Sequence, residues 1–265
     1  MLRVIATDLW VAEQPLKYFG LEVGTRMTLI RLNQDRLVII APIQLQDEMI
    51  DQINQLGNVS DIIAPNLYHH LFLNQCKQRY PNATVWAPSG LQDKCPDLLI
   101  DRILSNQTIQ SFNGLKAAQV TGFNTFDVKG YMPLDEWAFF HAKSRTLIIT
   151  DLAFHFDRQS SPSAQLISRV LGGYQQLRPS LLEKIATRDK EQVRQSLQLI
   201  LAWDFARVIM AHGSIIEQDG KRQFQLGYEW FLAARSHFSH SYLNSRIAGN
   251  KEIIALNLKG SRCSL

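Results

Sequence analysis

The sequence is poor in cysteine and has no long apolar run. Its 265 residues contain three cysteines, Cys76, Cys95 and Cys263, and none of them lies in a CxxC pair. Their odd number and wide spacing argue against a disulfide framework and against a cysteine-based zinc site. No run approaches the roughly 18 to 20 apolar residues of a membrane span, and the N-terminus lacks the apolar segment of a secretory signal. These absences predict a cytoplasmic protein without a membrane span.

The sequence also lacks a Pro-, Gly- or Ser-rich linker and an internal repeat, which favours one domain. The formal net charge of +4 is unevenly spread: residues 221–265 hold seven Lys and Arg against two Glu, and residues 1–220 hold 21 against 22 acidic residues. The basic character therefore belongs to the C-terminal region and not to a groove across the body. This distribution argues against a nucleic-acid partner, and it leaves open whether the basic region binds an anion or is simply solvated.

Hydrophobic patterning predicts alternating strands and helices first, then a group of strands, then mainly helices. The predicted strands are residues 4–11, 27–32, 37–41, 62–64, 84–86, 115–120, 125–128, 137–141, 146–150 and 205–211. One helix is predicted after residue 42 and another over about 69–80. Helices dominate from residue 163 and include those over 190–202 and 223–237. Asp189 is the predicted N-terminal cap of the helix over 190–202. This order is typical of an α/β (α+β) sandwich with two sheets between two helical layers.

The residues best suited to chemistry follow predicted strands. The strand over 62–64 runs into Asn66, His69 and His70, the strand over 146–150 ends at Asp151, and the strand over 205–211 ends at His212. Binding sites of α/β sheets gather outside such carboxyl ends. We therefore expect the histidines and the aspartate to lie close together.

These motifs resemble those of the metallo-β-lactamase superfamily. In that family a strand ends in THxHxDH, a GH follows beside a strand hairpin, an Asp ends the next strand, and a second GH closes the set. Here the corresponding stretches are APNLYHH, GYMP, IITD and VIMAHG. The resemblance implies a four-layer αββα sandwich over residues 1–235, with residues 236–265 as a basic C-terminal tail or extension.

The same resemblance implies an incomplete metal-binding set. At one metal position of the family the ligand histidines are replaced by Pro65, Leu67 and Tyr131, and Pro and Leu cannot bind zinc. At the second position the resemblance implies four candidate ligands: His69, His70, Asp151 and His212. Around them, Asn66, Tyr68 and Tyr131 are expected to line the pocket.

Two hypotheses follow, and the residues leave both open. In the first, the degenerate site has no standard di-zinc hydrolase activity, and Asp151 and His212 form only a satisfied polar pair. In the second, the protein is a hydrolase of esters, thioesters or lactones with a small-molecule substrate and one zinc or iron ion. His70, Asp151 and His212 would hold the ion, with His69 the least supported ligand because adjacent residues of a helix point about 100° apart. The sequence gives no indication of the oligomeric state.

Overall fold

The computed structural model describes residues 1–18, 20–33, 35–105, 115–127 and 130–233. The predicted basic tail, residues 236–265, lies outside the described residues, as does residue 128 at the end of one predicted strand. No helix within the described ranges combines the length and the apolar character needed to span a membrane.

Strands dominate the first two thirds of the described chain. They are β1 (Arg3–Ala6), β2 (Leu9–Gln14), β3 (Lys17–Tyr18), β4 (Leu21–Glu22), β5 (Thr25–Arg31), β6 (Arg36–Ile40), β7 (Asn58–Ile63), β8 (Thr84–Ala87), β9 (Arg102–Ile103), β10 (Leu115–Val120), β11 (Asn124–Asp127), β12 (Gly130–Pro133), β13 (Glu136–His141), β14 (Thr146–Ile148) and β15 (Arg207–Ile209). The α-helices are α1 (Asp47–Leu56), α2 (Leu73–Arg79), α3 (Leu91–Lys94), α4 (Pro162–Val170), α5 (Leu181–Ala186), α6 (Lys190–Leu201) and α7 (Gly220–Leu232).

The strands form two main sheets and two short hairpins. The first sheet has the order β1-β2-β5-β6-β7-β8-β9 and the second has the order β10-β13-β14-β15. From β6 to β9 the neighbouring strands are parallel, as the predicted β-α-β-α-β order requires, and β14 is parallel to β15. The hairpins are β3-β4 and β11-β12.

Three apolar clusters show how the layers pack. The cluster between the sheets joins residues of the first sheet, such as Val38 and Ile63, to Phe139 and Ile148 of the second. The outer face of the first sheet packs against the helices before residue 95, and that of the second sheet packs against α6 and α7. The fold is therefore a four-layer αββα sandwich, as the resemblance implies.

Several boundaries differ from the prediction for local reasons. The single strand predicted over 4–11 is a hairpin of β1 and β2, because Asp8 turns the chain with a φ of 63°. The strand predicted over 125–128 belongs to the separate β11-β12 hairpin and not to a main sheet. The helix predicted over 69–80 begins only at Leu73, and the helix predicted over 223–237 begins earlier, at Gly220.

The predicted cap of α6 is present, since the side chain of Asp189 accepts a hydrogen bond from the Gln192 amide. We expect Asp189→Ala to lower the free energy of unfolding by about 1 kcal/mol, because a helix N-terminal amide loses its partner. The measurement is urea denaturation. Gln46 occupies the same position before α1 without a side-chain cap bond, so Gln46→Ala is the control and should change stability little. Equal losses in the two variants would contradict the assignment.

Candidate metal centre

The candidate site lies where strands of both sheets end. In the second sheet, β14 and β15 are parallel, and Ile148 pairs with Ile209. Asp151 and His212 each follow three residues after these paired positions, so the register places them side by side. The positions of Asp151 and His212 at strand ends predict that the two residues lie close together, and their side chains are 3.3 Å apart.

The third part of the site comes from the first sheet, after β7. Residues 66–72 form a turn and not the predicted helix. The side-chain oxygen of Asn66 accepts hydrogen bonds from the backbone amides of Tyr68 and His69, at 2.8 and 2.7 Å. Because Asn and Asp side chains that bond to amides two and three residues later form tight local turns, this bond pattern explains why α2 starts late. The turn directs His69 toward Asp151.

A single carboxylate meets two imidazoles. Oδ2 of Asp151 lies 3.2 Å from Nε2 of His69, and Oδ1 lies 3.3 Å from Nε2 of His212. One ligand atom from each of the three residues lies within 4.8 Å of the others. We call these three residues, His69, Asp151 and His212, the His–Asp–His cluster.

His70 does not join this cluster. It is buried on the other side of the turn, with Nε2 3.9 Å from Sγ of Cys95. Burial, together with the nearby charge of Lys94, lowers the pKa of His70 to about 4. His69, the least supported candidate from the sequence, lies at ligand distance in the cluster, whereas His70, which the sequence favoured, does not. The physical reason is the turn at Asn66, which sends consecutive side chains in different directions.

A backbone carbonyl fixes the tautomer of His212. Its Nδ1 lies 2.5 Å from the carbonyl oxygen of Gly24, which can only accept a hydrogen bond, so Nδ1 carries the proton. In the neutral ring, Nε2 then presents a lone pair toward Oδ1 of Asp151. Two acceptors at 3.3 Å repel each other unless a proton or a cation lies between them. The arrangement therefore suits a proton or a cation between these two atoms.

Arg26, which follows Gly24 closely, ties the two sheets together beside His212. The Arg26 side chain is 6% exposed, and its guanidinium donates to the carbonyl oxygens of Met210 and, at 2.6 Å, Gly213. Its Nε donates to Glu13 at 2.8 Å. Arg26 of the first sheet thus bonds to the backbone both before and after His212.

Asn66 and Glu136 form a buried polar network behind Asp151. Both side chains are fully buried. Glu136 accepts from the backbone amides of Thr150 and Asp151, at 2.6 and 2.8 Å, and from Nδ2 of Asn66 at 2.9 Å. Nδ2 of Asn66 also lies 2.8 Å from Oδ2 of Asp151. Glu136 was not predicted from the sequence, although it is a charged residue at the head of the apolar run EWAFFH.

The buried charges shift the pKa values of the site in opposite directions. Burial and the charge of Asp151 raise the pKa of Glu136 to about 7. Burial also acts to raise the pKa of Asp151, but His69 and His212 outweigh it and hold that pKa well below its usual range. Burial acts to lower the pKa of His69, and the Asp151 carboxylate more than offsets this, so the net shift is upward. Asp151 is therefore the carboxylate that carries charge near neutral pH.

The two tyrosines predicted to line the pocket differ in position. Tyr68 is half-buried beside the cluster, and its hydroxyl donates to Asp127 at 3.1 Å. Tyr131 lies on β12 and is half exposed, with its ring 5.8 Å from that of Phe126. Burial, together with the charges of Asp151 and Asp127, raises the pKa of Tyr18 on the β3-β4 hairpin.

The donor chemistry of the cluster fits a divalent metal ion. Imidazole and carboxylate groups are established protein ligands of Zn²⁺ and Fe²⁺. Metal-binding histidines commonly donate their second ring N–H to a carbonyl, as His212 does to Gly24. The lone pair of His212 and the ionised Asp151 converge on the place where such an ion would be held.

The sandwich matches the metallo-β-lactamase fold. A metallo-β-lactamase from Pontibacter korlensis superposes with a TM-score of 0.57 at 15% identity, covering 86% of this chain and 98% of that one. The mono-zinc form of the metallo-β-lactamase FIM-1 from Pseudomonas aeruginosa gives a TM-score of 0.55 at 11% identity, with 87% and 94% covered. A metallo-β-lactamase from Hirschia baltica gives 0.55 at 11% identity, with 89% and 98% covered.

By sequence, the chain belongs to the family described as "Domain of unknown function (DUF4336)", whose model matches residues 6–172. No curated protein matches it. His69 and Asp151 lie within the matched region, and His212 lies beyond it.

Proposed function

We propose that this protein binds one divalent metal ion, Zn²⁺ or Fe²⁺, through His69, Asp151 and His212, and uses it to hydrolyse an ester, thioester or lactone. The observation that supports the proposal is the pair of imidazole Nε2 atoms on the two oxygens of one carboxylate, 3.2 and 3.3 Å away. Three protein ligands leave a coordination position open, which is the pattern of catalytic rather than structural zinc sites.

Each ligand has a separate role. Asp151 supplies the negative charge, and His212 supplies a lone pair whose direction is fixed by the bond from Nδ1 to Gly24. His69 completes the set from the opposite sheet. An ion held by these residues supplies Lewis-acid polarisation of a carbonyl group and of water. Tyr68 and Tyr131 are proposed to form part of the surrounding pocket.

The second ion of a di-zinc enzyme has no comparable support. Leu67, at one position where the family has a histidine, is buried in the core under the first sheet, and Pro65 is buried as well. Within the described ranges, the His–Asp–His cluster is the group of three His, Cys, Asp or Glu side chains at ligand distance. These observations favour a mononuclear site, and they also support the alternative of a fold that has lost hydrolysis.

Adjacent histidines provide the test of metal binding. Protein purified without a histidine tag should bind close to one equivalent of Zn²⁺, or of Fe²⁺ without oxygen, in competition with a chromophoric chelator. His69→Ala should weaken binding by at least about tenfold, because a ligand is lost. His70→Ala is the matched control and should keep the wild-type affinity, since His70 faces Cys95. Absence of binding by the wild-type protein, or equal effects of the two variants, would refute the proposed site.

The same proteins test the reaction. Metal-loaded wild-type protein should hydrolyse members of a panel of activated esters, thioesters and lactones, and a chelator should stop the reaction. His212→Ala should lose this activity. Tight metal binding with no turnover on any of these substrates would instead favour the catalytically silent alternative.

A further inference from the structure

Asn66 connects two of the proposed ligands through one side chain. Its oxygen accepts from the backbone amide of His69 at 2.7 Å, and its Nδ2 lies 2.8 Å from Oδ2 of Asp151. The side chain is fully buried, so water does not compete for these bonds. It therefore bridges the turn of the first sheet to the strand end of the second.

The network behind Asn66 holds its amide in one orientation. Nδ2 lies 2.9 Å from Oε2 of Glu136 and 3.0 Å from Oγ1 of Thr150, in addition to Asp151. These three neighbours offer acceptors, whereas the amides of Tyr68 and His69 are donors. If the Asn66 amide were reversed, its oxygen would face the three acceptors and its NH₂ group would face the two backbone N–H donors. The donor and acceptor ends of the side chain are thus fixed by its surroundings.

We propose that Asn66 is a positioning residue that sets the geometry of the metal ligands and selects His69 over His70. The inference rests on the proposed function. The oxygen of Asn66 shapes the turn that directs His69 to the cluster, and its Nδ2 orients the carboxylate of Asp151. An asparagine suits both roles because its side chain has both an acceptor and a donor. An aspartate at this position would have no donor, and its charge would be repelled by those of Glu136 and Asp151.

Two substitutions separate these roles. Asn66→Ser keeps a short oxygen that can accept from the turn amides but does not reach Asp151, and Asn66→Ala removes both contacts. Asn74→Ala is the control, because Asn74 also uses both ends of its amide, donating to the carbonyl of Asp97 and accepting from the amide of Leu99, away from the cluster. For each protein we would measure the Zn²⁺ affinity, the visible absorption spectrum of the Co²⁺ form, and the urea unfolding of the metal-free form.

We expect Asn66→Ser to fold, to bind Zn²⁺ about tenfold more weakly or worse, and to give a changed Co²⁺ spectrum, as is typical when a group that orients a metal ligand is lost. Asn66→Ala should weaken binding further, and Asn74→Ala should change stability alone. Wild-type affinity and an unchanged spectrum in Asn66→Ser would overturn the inference while leaving the proposed site intact. Failure of the wild-type protein to bind metal would overturn both. Loss of folding in Asn66→Ser would also overturn the inference, because the amide would then serve the fold and not the ligand geometry.

Discussion

Asp151→Asn is expected to lower the affinity for Zn²⁺ by at least about 100-fold, because a neutral amide would replace the charged carboxylate that contacts both histidines of the proposed site. The side chain keeps its size, so the protein should remain folded. Competition with a chelator measures the affinity, and circular dichroism of the metal-free protein checks the fold. The effect should exceed that of His69→Ala, since Asp151 contacts both imidazoles.

Asp61→Asn is the control for this prediction. Asp61 is also a buried aspartate, but it accepts from Arg36 and Trp86, each at 2.8 Å, and belongs to β7 rather than to the cluster. Its replacement should lower the free energy of unfolding and leave the metal affinity unchanged. The two variants should therefore show opposite phenotypes. A similar fall in Zn²⁺ affinity in both variants would mean that the affinity depends on the stability of the fold and not on Asp151 itself.

The second large effect is expected at Gly213, next to His212. Gly213 has a φ of +84°, and a Cβ atom there would lie 2.2 Å from the carbonyl oxygen of His155. Gly213→Ala should lower the free energy of unfolding by about 3 kcal/mol or more, because the left-handed conformation alone costs roughly 1–2 kcal/mol and the bridge to His155 must also open. Urea denaturation of the metal-free protein measures this loss. Metal affinity should fall as well, since His212 would shift with its neighbour.

Gly20 provides the comparison that isolates the steric part. It has a φ of +77°, close to that of Gly213, but no atom lies within 4 Å of a Cβ built on it. Gly20→Ala should therefore lower the free energy of unfolding by only about 1–2 kcal/mol, which is the cost of the left-handed conformation. Equal destabilisation of the two variants would mean that the close approach to His155 does not contribute to the cost of Gly213→Ala.

The fold was largely predictable because its signals are local and repeated. Apolar runs, helical spacing and turn residues gave the order of strands and helices, and that order limits the number of arrangements of the layers. The face of α1 shows this well, since Met49 and Ile53, four residues apart, are both buried. The hairpin at Asp8 was missed because an aspartate in a left-handed turn looks like an ordinary polar residue within a strand.

The candidate site was only partly predictable, because it depends on contacts between distant segments. Asp151 and His212 could be paired in advance, since both end strands and parallel strands end at the same edge. The sequence favoured His70 over His69, because the position of His69 depends on a turn built by Asn66 and not on periodicity. Glu136 and Arg26 bond to backbone groups of other segments, and the Gly24 carbonyl accepts a hydrogen bond from the His212 ring. The sequence carries no spacing signal for these contacts.

The position of β15 has a practical consequence for how this protein is cut and expressed. The region matched by the family model stops at residue 172, before β15, α6 and α7. A fragment trimmed to that limit would retain His69 and Asp151, lose His212, leave β14 without its parallel neighbour, and uncover apolar side chains that α6 and α7 bury. Truncated versions meant for biochemical work should therefore extend at least through Leu232, and inactivity or aggregation of shorter ones would carry no information about the metal centre.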